Sequence, residues 1–443
     1  MRSNWQDANL SSNTKALLAR DSAAYVHQAL STPCLNALQR CSGSYIEDVE
    51  GRRYLDFHGN SVHQVGYGHP LVIEAIKRQL DDLPFCPRRY TNLPATELAE
   101  QLGQLTGGQL PRVLLAPSGA VAIGTAMKIA RTATGRYKFL SMWGSFHGAT
   151  LDAISLGGEA IFRQGVGPLL PGVSHVAPPR PERCLLGCAG RCGQIDVAGT
   201  GPMLCADMLE HVLRAEGDIA AVVAEPVRCT TVSIPPDGYW KRVRAVCDRH
   251  GVLLIFDEIP SCLGRTGRMF AYEHFGVAPD ILVIGKGLGG GVFPLAATLV
   301  REGLVDGSTS ALGHYTHEKS PVGAAAALAT IRVIRDGQLL DRAESLGKMF
   351  ASELRRLATR HELIGPVRQL GLLIGVDVMA IENPSLDATV LAERILYASL
   401  SRGLSFKVSD GNVLTLSPPL TLSDQEALEA IRILDEAFEE ASR

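Results

Sequence analysis

Between about residue 95 and residue 325 the chain alternates helical segments with short, continuous apolar runs. The runs are RVLLAP (112–117), YKFLSM (137–142), IAAVVAEP (219–226), VLLIFDE (252–258), DILVIGK (280–286) and FPLAATLV (293–300). They lack the in–out alternation of a strand with one wet face. Such runs predict strands buried on both faces of a mostly parallel sheet, covered by the intervening helices. After residue 325 the pattern changes. Helices are expected near 322–335, 340–360 and 386–402, with strands at GLLIGVDVM (371–379) and VLTLSP (413–418). Ser423-Asp-Gln-Glu426 reads as a capping box that opens a last helix. Near the start, SYIEDVEGRRYLDF reads as strand–turn–strand about Glu50-Gly51. The expected class is therefore α/β. Residues 61–325 would form a large domain, while 1–60 and 326–443 would build a smaller α+β domain.

Composition agrees with a packed enzyme. The 443 residues are 46% hydrophobic and only 20% charged, which excludes a disordered or coiled-coil chain. A net charge of −3 offers no field for nucleic acid or for an anionic membrane. The N-terminus is charged throughout, unlike a secretory signal, and no stretch approaches the roughly 20 apolar residues of a membrane span. The expected location is cytoplasmic, which also suits ten cysteines without an export signal. Cys184, Cys188 and Cys192 recur at four-residue spacing, with Cys205 beyond. That spacing admits a structural zinc site or an insert loop of free thiols. The second is the expectation, and no metal is assigned.

Four segments carry candidate chemistry. Ser118-Gly119-Ala120 joins a strand to a helix running to Gly135. The free N–H groups and positive dipole end of such a helix suit a phosphate dianion, although an ordinary turn would read the same way. Phe146 and His147 follow another buried strand, at the sheet edge where α/β proteins bind ligands. Phe146 could stack on an aromatic ring or simply pack. Asp257 closes a buried strand, where a carboxylate is costly without a cationic partner. A protonated pyridine nitrogen is one such partner; a helix cap or a metal site at Asp257-Glu258 are the alternatives. Lys286 directly follows a strand and precedes a glycine-rich loop. Desolvation there would suit Schiff-base chemistry, whereas most lone lysines at such places are loop charges.

The order strand–SGA–helix, Phe-His-Gly, Glu-Pro, Asp-Glu, Gly-Lys-Gly resembles that of class III aminotransferases. The likeness covers nearly the whole chain, including RRYLDF, GYGHP, AEPV (224–227), PPDGYW (235–240), GRTGRMF (264–270), YTHEKSPVGAAAAL (315–328) and PPL (418–420). The resemblance implies the PLP-dependent transferase fold of type I, with pyridoxal 5'-phosphate (PLP) as cofactor. It makes Lys286 the Schiff-base lysine and Asp257 the partner of the pyridine nitrogen. Ser118, Gly119 and Ala120 would cup the phosphate, Phe146 and Ile259 would face the ring, and His147 and Glu225 would complete the cofactor site. Thr316 matches a threonine that reaches the phosphate from a second subunit, so a homodimer with shared active sites and a small-molecule amine substrate are implied.

Two departures from the family pattern bear on substrate. Pro260 stands where the family often has Gln. Thr415, three residues before Pro-Pro-Leu, replaces the arginine with which users of glutamate or 2-oxoglutarate commonly grip a carboxylate. Glu225, the usual partner of that arginine, is left for another. Loss of the clamp favours an amine transaminase or a lyase that needs no second substrate. PRRYTN (87–92), DEIPSCLGRTG and HYTHEKSPV look most like the lyases acting on small phosphorus-bearing amines. Arg88, Arg89 and Arg228 are the cationic candidates for such a substrate, with Asn60 and His63 as neighbours. Each arginine could equally be a solvated surface charge.

Overall fold

In the computed structural model, residues 1–188, 203–305, 309–380 and 387–443 are described. Internal contacts divide the chain into two units, Met1–His69 with Asp341–Arg443, and Pro70–Leu340. The first unit opens with helices Arg2–Asn9 and Ser12–Ala24, which the hydrophobic pattern does not announce. Trp5 and Leu10 join Tyr54 and Leu400 in a small apolar cluster, against which Leu18 of the second helix packs. Strands Leu38–Ser42 (β1), Tyr45–Asp48 (β2) and Arg53–Asp56 (β3) form an antiparallel meander. The turn between β2 and β3 falls where it was expected. Asp48 Oδ1 accepts the N–H groups of Glu50 and Arg52, and Gly51 adopts φ 81, a conformation a Cβ would disfavour.

The second unit contains the large sheet. Its strands are Arg112–Ala116 (β4), Lys138–Met142 (β5), Val173–Val176 (β6), Ile219–Ala224 (β7), Leu253–Asp257 (β8), Ile281–Ile284 (β9) and Ala296–Val300 (β10). They lie in the order β4-β10-β9-β8-β7-β5-β6. Every neighbouring pair from β9 to β6 is parallel, and β10 runs antiparallel to both β9 and β4. All residues of β7, β8, β9 and β10 are buried, so these strands have no polar face to show in the sequence. The edge strand β6, VSHV, is only half-buried and gives no apolar run. Because β5, β7, β8 and β9 are parallel, the loops leaving their C-terminal ends share one edge of the sheet. Among the described residues, no helix is long and apolar enough to cross a membrane.

The rest of the first unit holds Ile364–Leu370 (β11), Leu373–Val378 (β12), Leu404–Ser405 (β13), Lys407–Ser409 (β14) and Val413–Leu416 (β15). Strands β11-β12-β15-β14 form an antiparallel sheet, and β13 adds to β3 in parallel. Of the late strands, β12 and β15 were legible and β11 was not, since most of its residues are half-buried. The last helix, Asp424–Ala441, begins on the expected capping box, with Ser423 and Glu426 satisfying each other's backbone N–H groups.

Candidate active site

The shared edge of the large sheet gathers the chemistry. Asp257, the last residue of β8, is 2% exposed. Its Oδ2 lies 2.8 Å from His147 Nδ1, and its Oδ1 accepts the Ile259 N–H at 3.0 Å. His147 is also buried and comes from the loop after β5; its Nε2 is 3.4 Å from Ser141 Oγ. The sequence offers Asp257 a pyridine nitrogen, a helix cap or a metal as partner, and does not point to His147. The fold supplies an imidazole of the chain's own. A carboxylate accepts, so Nδ1 carries the proton and the imidazole fixes the direction of the acid.

Lys286 follows β9 after Gly285 and opens a 3-10 turn, Lys286–Gly289, with its side chain half-buried. Its φ is 47, a left-handed conformation that costs a residue with a Cβ about 1 kcal/mol. Ser118 caps the helix Gly119–Thr134 by accepting the Val121 N–H. Ser118 is exposed and Gly119 and Ala120 are half-buried, so the helix N-terminus is open to a ligand. Three segments close around it. A Cβ on Gly119 would lie 2.6 Å from Ile259 Cδ1, one on Gly148 would lie 2.5 Å from Ala120 Cβ, and one on Gly285 would lie 3.4 Å from Ile259 Cγ2. The backbone at 118–120, 146–148, 257–259 and 285–286 is therefore one contiguous cradle.

Glu225 emerges from the end of β7 and is buried. Its Oε1 accepts the Phe146 N–H at 3.2 Å and lies 2.5 Å from Arg228 Nη1, so Arg228 is the partner that the sequence left unnamed. Arg228 Nη2 also contacts Glu159 Oε1. Burial pulls the Arg228 pKa down, but the charges of Glu225 and Glu159 more than reverse it. Next in the chain, Cys229 is pushed up to about 12 by burial and by Glu225, while the Lys286 and Arg228 cations oppose that shift. Both cations are thus within electrostatic reach of one thiol. Phe146 packs against Phe162 with the rings tilted by 44° and their centroids 4.5 Å apart.

Glu159 and Phe162 were missed by sequence reading. They sit on or beside a one-turn helix, Ala160–Arg163, and meet their partners only through tertiary return of the chain. No local motif marks them. Thr316 lies exposed on a turn at 316–319. That turn is tied to the 83–92 segment by Asn92 Nδ2, which donates to Lys319 O at 3.0 Å, and by Phe85 against His317 at 5.1 Å. Arg88 and Arg89 are exposed in that segment and, among the described residues, form no ion pair with the Glu225–Arg228 group. Asn60 and His63 belong to the first unit. Asn60 takes φ 45, and His63 is fully buried, with Nε2 2.9 Å from Asp56 O and its ring on Tyr67. Thr415, in β15, donates to Ser409 Oγ at 3.1 Å. Cys192 lies outside the described residues; Cys184, Cys188 and Cys205 form no disulfide, and no three-ligand metal group occurs among the described residues.

Glu258 has a structural task. It is fully buried and accepts the N–H groups of Ala271 at 2.5 Å and Tyr272 at 2.7 Å, capping the turn Ala271–Phe275. Burial raises its pKa from 4.5 to about 8, against the pull of those two donors. A raised carboxyl pKa means that the folded state holds the proton more tightly than the unfolded one. Its stabilising contribution is complete below 4.5 and is lost as pH rises through about 8. Glu258→Gln is expected to flatten the fall in melting temperature between those two pH values; an unchanged slope would place the titration elsewhere.

Comparison with known proteins agrees with this geometry. The class-III aminotransferase model matches residues 26–438, and the chain belongs to that family of PLP-dependent enzymes. It is 45% identical over 443 residues, 99% of this chain and 92% of the relative, to the (R)-1-hydroxy-2-aminoethylphosphonate ammonia-lyase of Vibrio splendidus. It is 35% identical over 408 residues, 90% of this chain and 89% of the relative, to a leucine/methionine racemase of Thermococcus litoralis. An amine transaminase from an uncultivated Pseudomonas species, solved in its PLP-bound form, superposes with a TM-score of 0.85 at 32% identity, covering 94% of this chain and 98% of its own. Lyase, racemase and transaminase thus share one scaffold, and the surroundings of the substrate must choose the outcome.

Proposed function

We propose that the protein is a PLP-dependent ammonia-lyase acting on a small phosphonate- or phosphate-bearing amino alcohol. The substrate that fits best is (R)-1-hydroxy-2-aminoethylphosphonate, converted to phosphonoacetaldehyde and ammonia. The observation that carries this reading is the Glu225–Arg228 pair, taken with the threonine that the sequence has at 415. Position 415 offers a threonine bonded to Ser409, and the cation on Glu225 is Arg228, three residues on in the same loop. A keto-acid acceptor loses its usual fork, whereas a guanidinium on the catalytic side of the sheet suits a phosphonate. The 45% identity to the Vibrio splendidus lyase supports the same substrate. The alternative is a class III aminotransferase moving an amino group from an amine to a keto acid.

The cradle fits PLP. An open helix N-terminus at Ser118–Ala120 would take the phosphate, and Asp257, aimed by His147, would take the pyridine nitrogen. Phe146 and Ile259 would flank the ring, and Lys286 would hold the aldehyde carbon through Nζ. When bound, PLP supplies an electron sink for the carbon that bears the substrate's nitrogen. Lys286 Nζ, released by the incoming amine, removes the proton from that carbon. Asp257, held in direction by His147, would hold a proton on the pyridine nitrogen. Lys286 then returns its proton to the departing hydroxyl on the adjacent carbon. One water leaves, and one is consumed when the freed enamine tautomerises and hydrolyses to aldehyde and ammonia. Thr316, exposed on its turn, would serve the cofactor phosphate of a second subunit in a homodimer. A cytoplasmic location belongs to the same proposal, supported by nine described cysteines of which none is in a disulfide.

Incubation of the holoenzyme with hydroxyaminoethylphosphonate, with and without pyruvate, tests the reading. Ammonia should appear at the same rate in both. Turnover that depends on pyruvate and yields alanine would establish the aminotransferase instead.

A further inference from the structure

Two carboxylates share one guanidinium beside the proposed cofactor site. Arg228, with a side chain 15% exposed, places Nη1 2.5 Å from Glu225 Oε1 and Nη2 against Glu159 Oε1. Nη1 and Nη2 of the guanidinium are thus each already taken by a carboxylate. A phosphonate can dock on Arg228 only by taking the place of one carboxylate.

The two carboxylates are not equivalent. Glu225 has a side chain 4% exposed and also accepts the Phe146 N–H, so it is part of the wall that positions the ring-facing Phe146. Glu159 is 29% exposed and reaches Arg228 from a chain segment 69 residues away, at the start of the four-residue helix Ala160–Arg163. A single turn of helix has little intrinsic stability of its own. The same turn carries Phe162 on Phe146, so any movement of Glu159 is coupled to the cover of the ring face.

We propose that Glu159 is a stand-in anion: it covers Arg228 in the free enzyme and is displaced by the phosphonate of the substrate. The inference rests on the phosphonate reading above and adds a specificity-determining residue to it. Glu225 keeps Nη1 and the guanidinium's orientation throughout, so the exchange swaps one anion for another on Nη2. A carboxylate ligand gains nothing over the one it displaces. A dianion gains the extra charge, and the site therefore discriminates against amino acids by an internal competitor.

The test uses the holoenzyme with methylphosphonate as probe, at alkaline pH where it is a dianion, read by calorimetry. Glu159→Gln should bind methylphosphonate about tenfold tighter than wild type, because the competing closed pair is removed. Glu159→Asp, which restores the charge, should return towards the wild-type affinity. In turnover the gain should appear in KM rather than in kcat. Equal or weaker binding by Glu159→Gln, or no binding by either protein, overturns the proposal and makes Glu159 a brace. Should Glu159→Gln not fold, Glu159→Ala is read in the same way. The calorimetry needs no turnover, so failure of the lyase reading, seen as absence of ammonia release by wild type, is a separate result.

Discussion

Lys286→Ala is expected to lower kcat by roughly 10^4-fold or more, since one nitrogen is asked to serve as both covalent anchor and proton carrier. Lys286→Arg should be as inactive. A guanidinium keeps the charge but stays protonated at any working pH, so it can neither attack an aldehyde nor take a proton. The backbone separates this effect from stability. At φ 47, alanine keeps the left-handed strain of the native lysine, whereas glycine does not. Lys286→Gly should therefore melt higher than Lys286→Ala, by an amount corresponding to about 1 kcal/mol, while both stay inactive. Steady-state assays and thermal melts on the three variants check the pair of claims. Activity in Lys286→Ala within tenfold of wild type would remove the lysine from the chemistry.

Asp257→Asn should lower kcat by about 10^3-fold, the scale seen when one preorganised electrostatic group is lost from a dry site. The loss has two parts. An amide cannot hold a proton on a facing ring nitrogen. Its NH2 can also turn towards His147 Nδ1, which lies 2.8 Å from the native carboxylate and carries a proton in the wild type. His147→Ala removes only the orienting contact and should cost about tenfold to a hundredfold, as indirect supporting partners usually do. The two residues touch, so the double variant should lose less than the product of the single losses. Additive losses in the cycle would mean that the imidazole does not act through Asp257.

What the sequence displays follows from where each residue sits. Lys286 and Asp257 stand out because each lies at or just past the end of a strand with no wet face, and a charge after an apolar run is conspicuous. The central strands are legible for the same reason. Edge strands such as β6 and half-buried ones such as β11 carry no such run, and the two opening helices depend on a few residues, Trp5 and Leu10 above all. The absence of a clamp at Thr415 is a sequence fact. That Arg228 takes up Glu225, and that Glu159 comes in beside it, depends on how loops from β5 and β7 return to one place. His147 illustrates the same limit. Its position past a strand end was plain, but its partner lies 110 residues further along the chain.

The most direct measurement is peptide mapping by mass spectrometry after borohydride reduction of the holoenzyme. If the lysine at the end of β9 binds the cofactor covalently, a single pyridoxyl adduct will be found on Lys286, and it will be missing from Lys286→Ala. An adduct on any other lysine, or none on the active wild-type protein, would contradict the account.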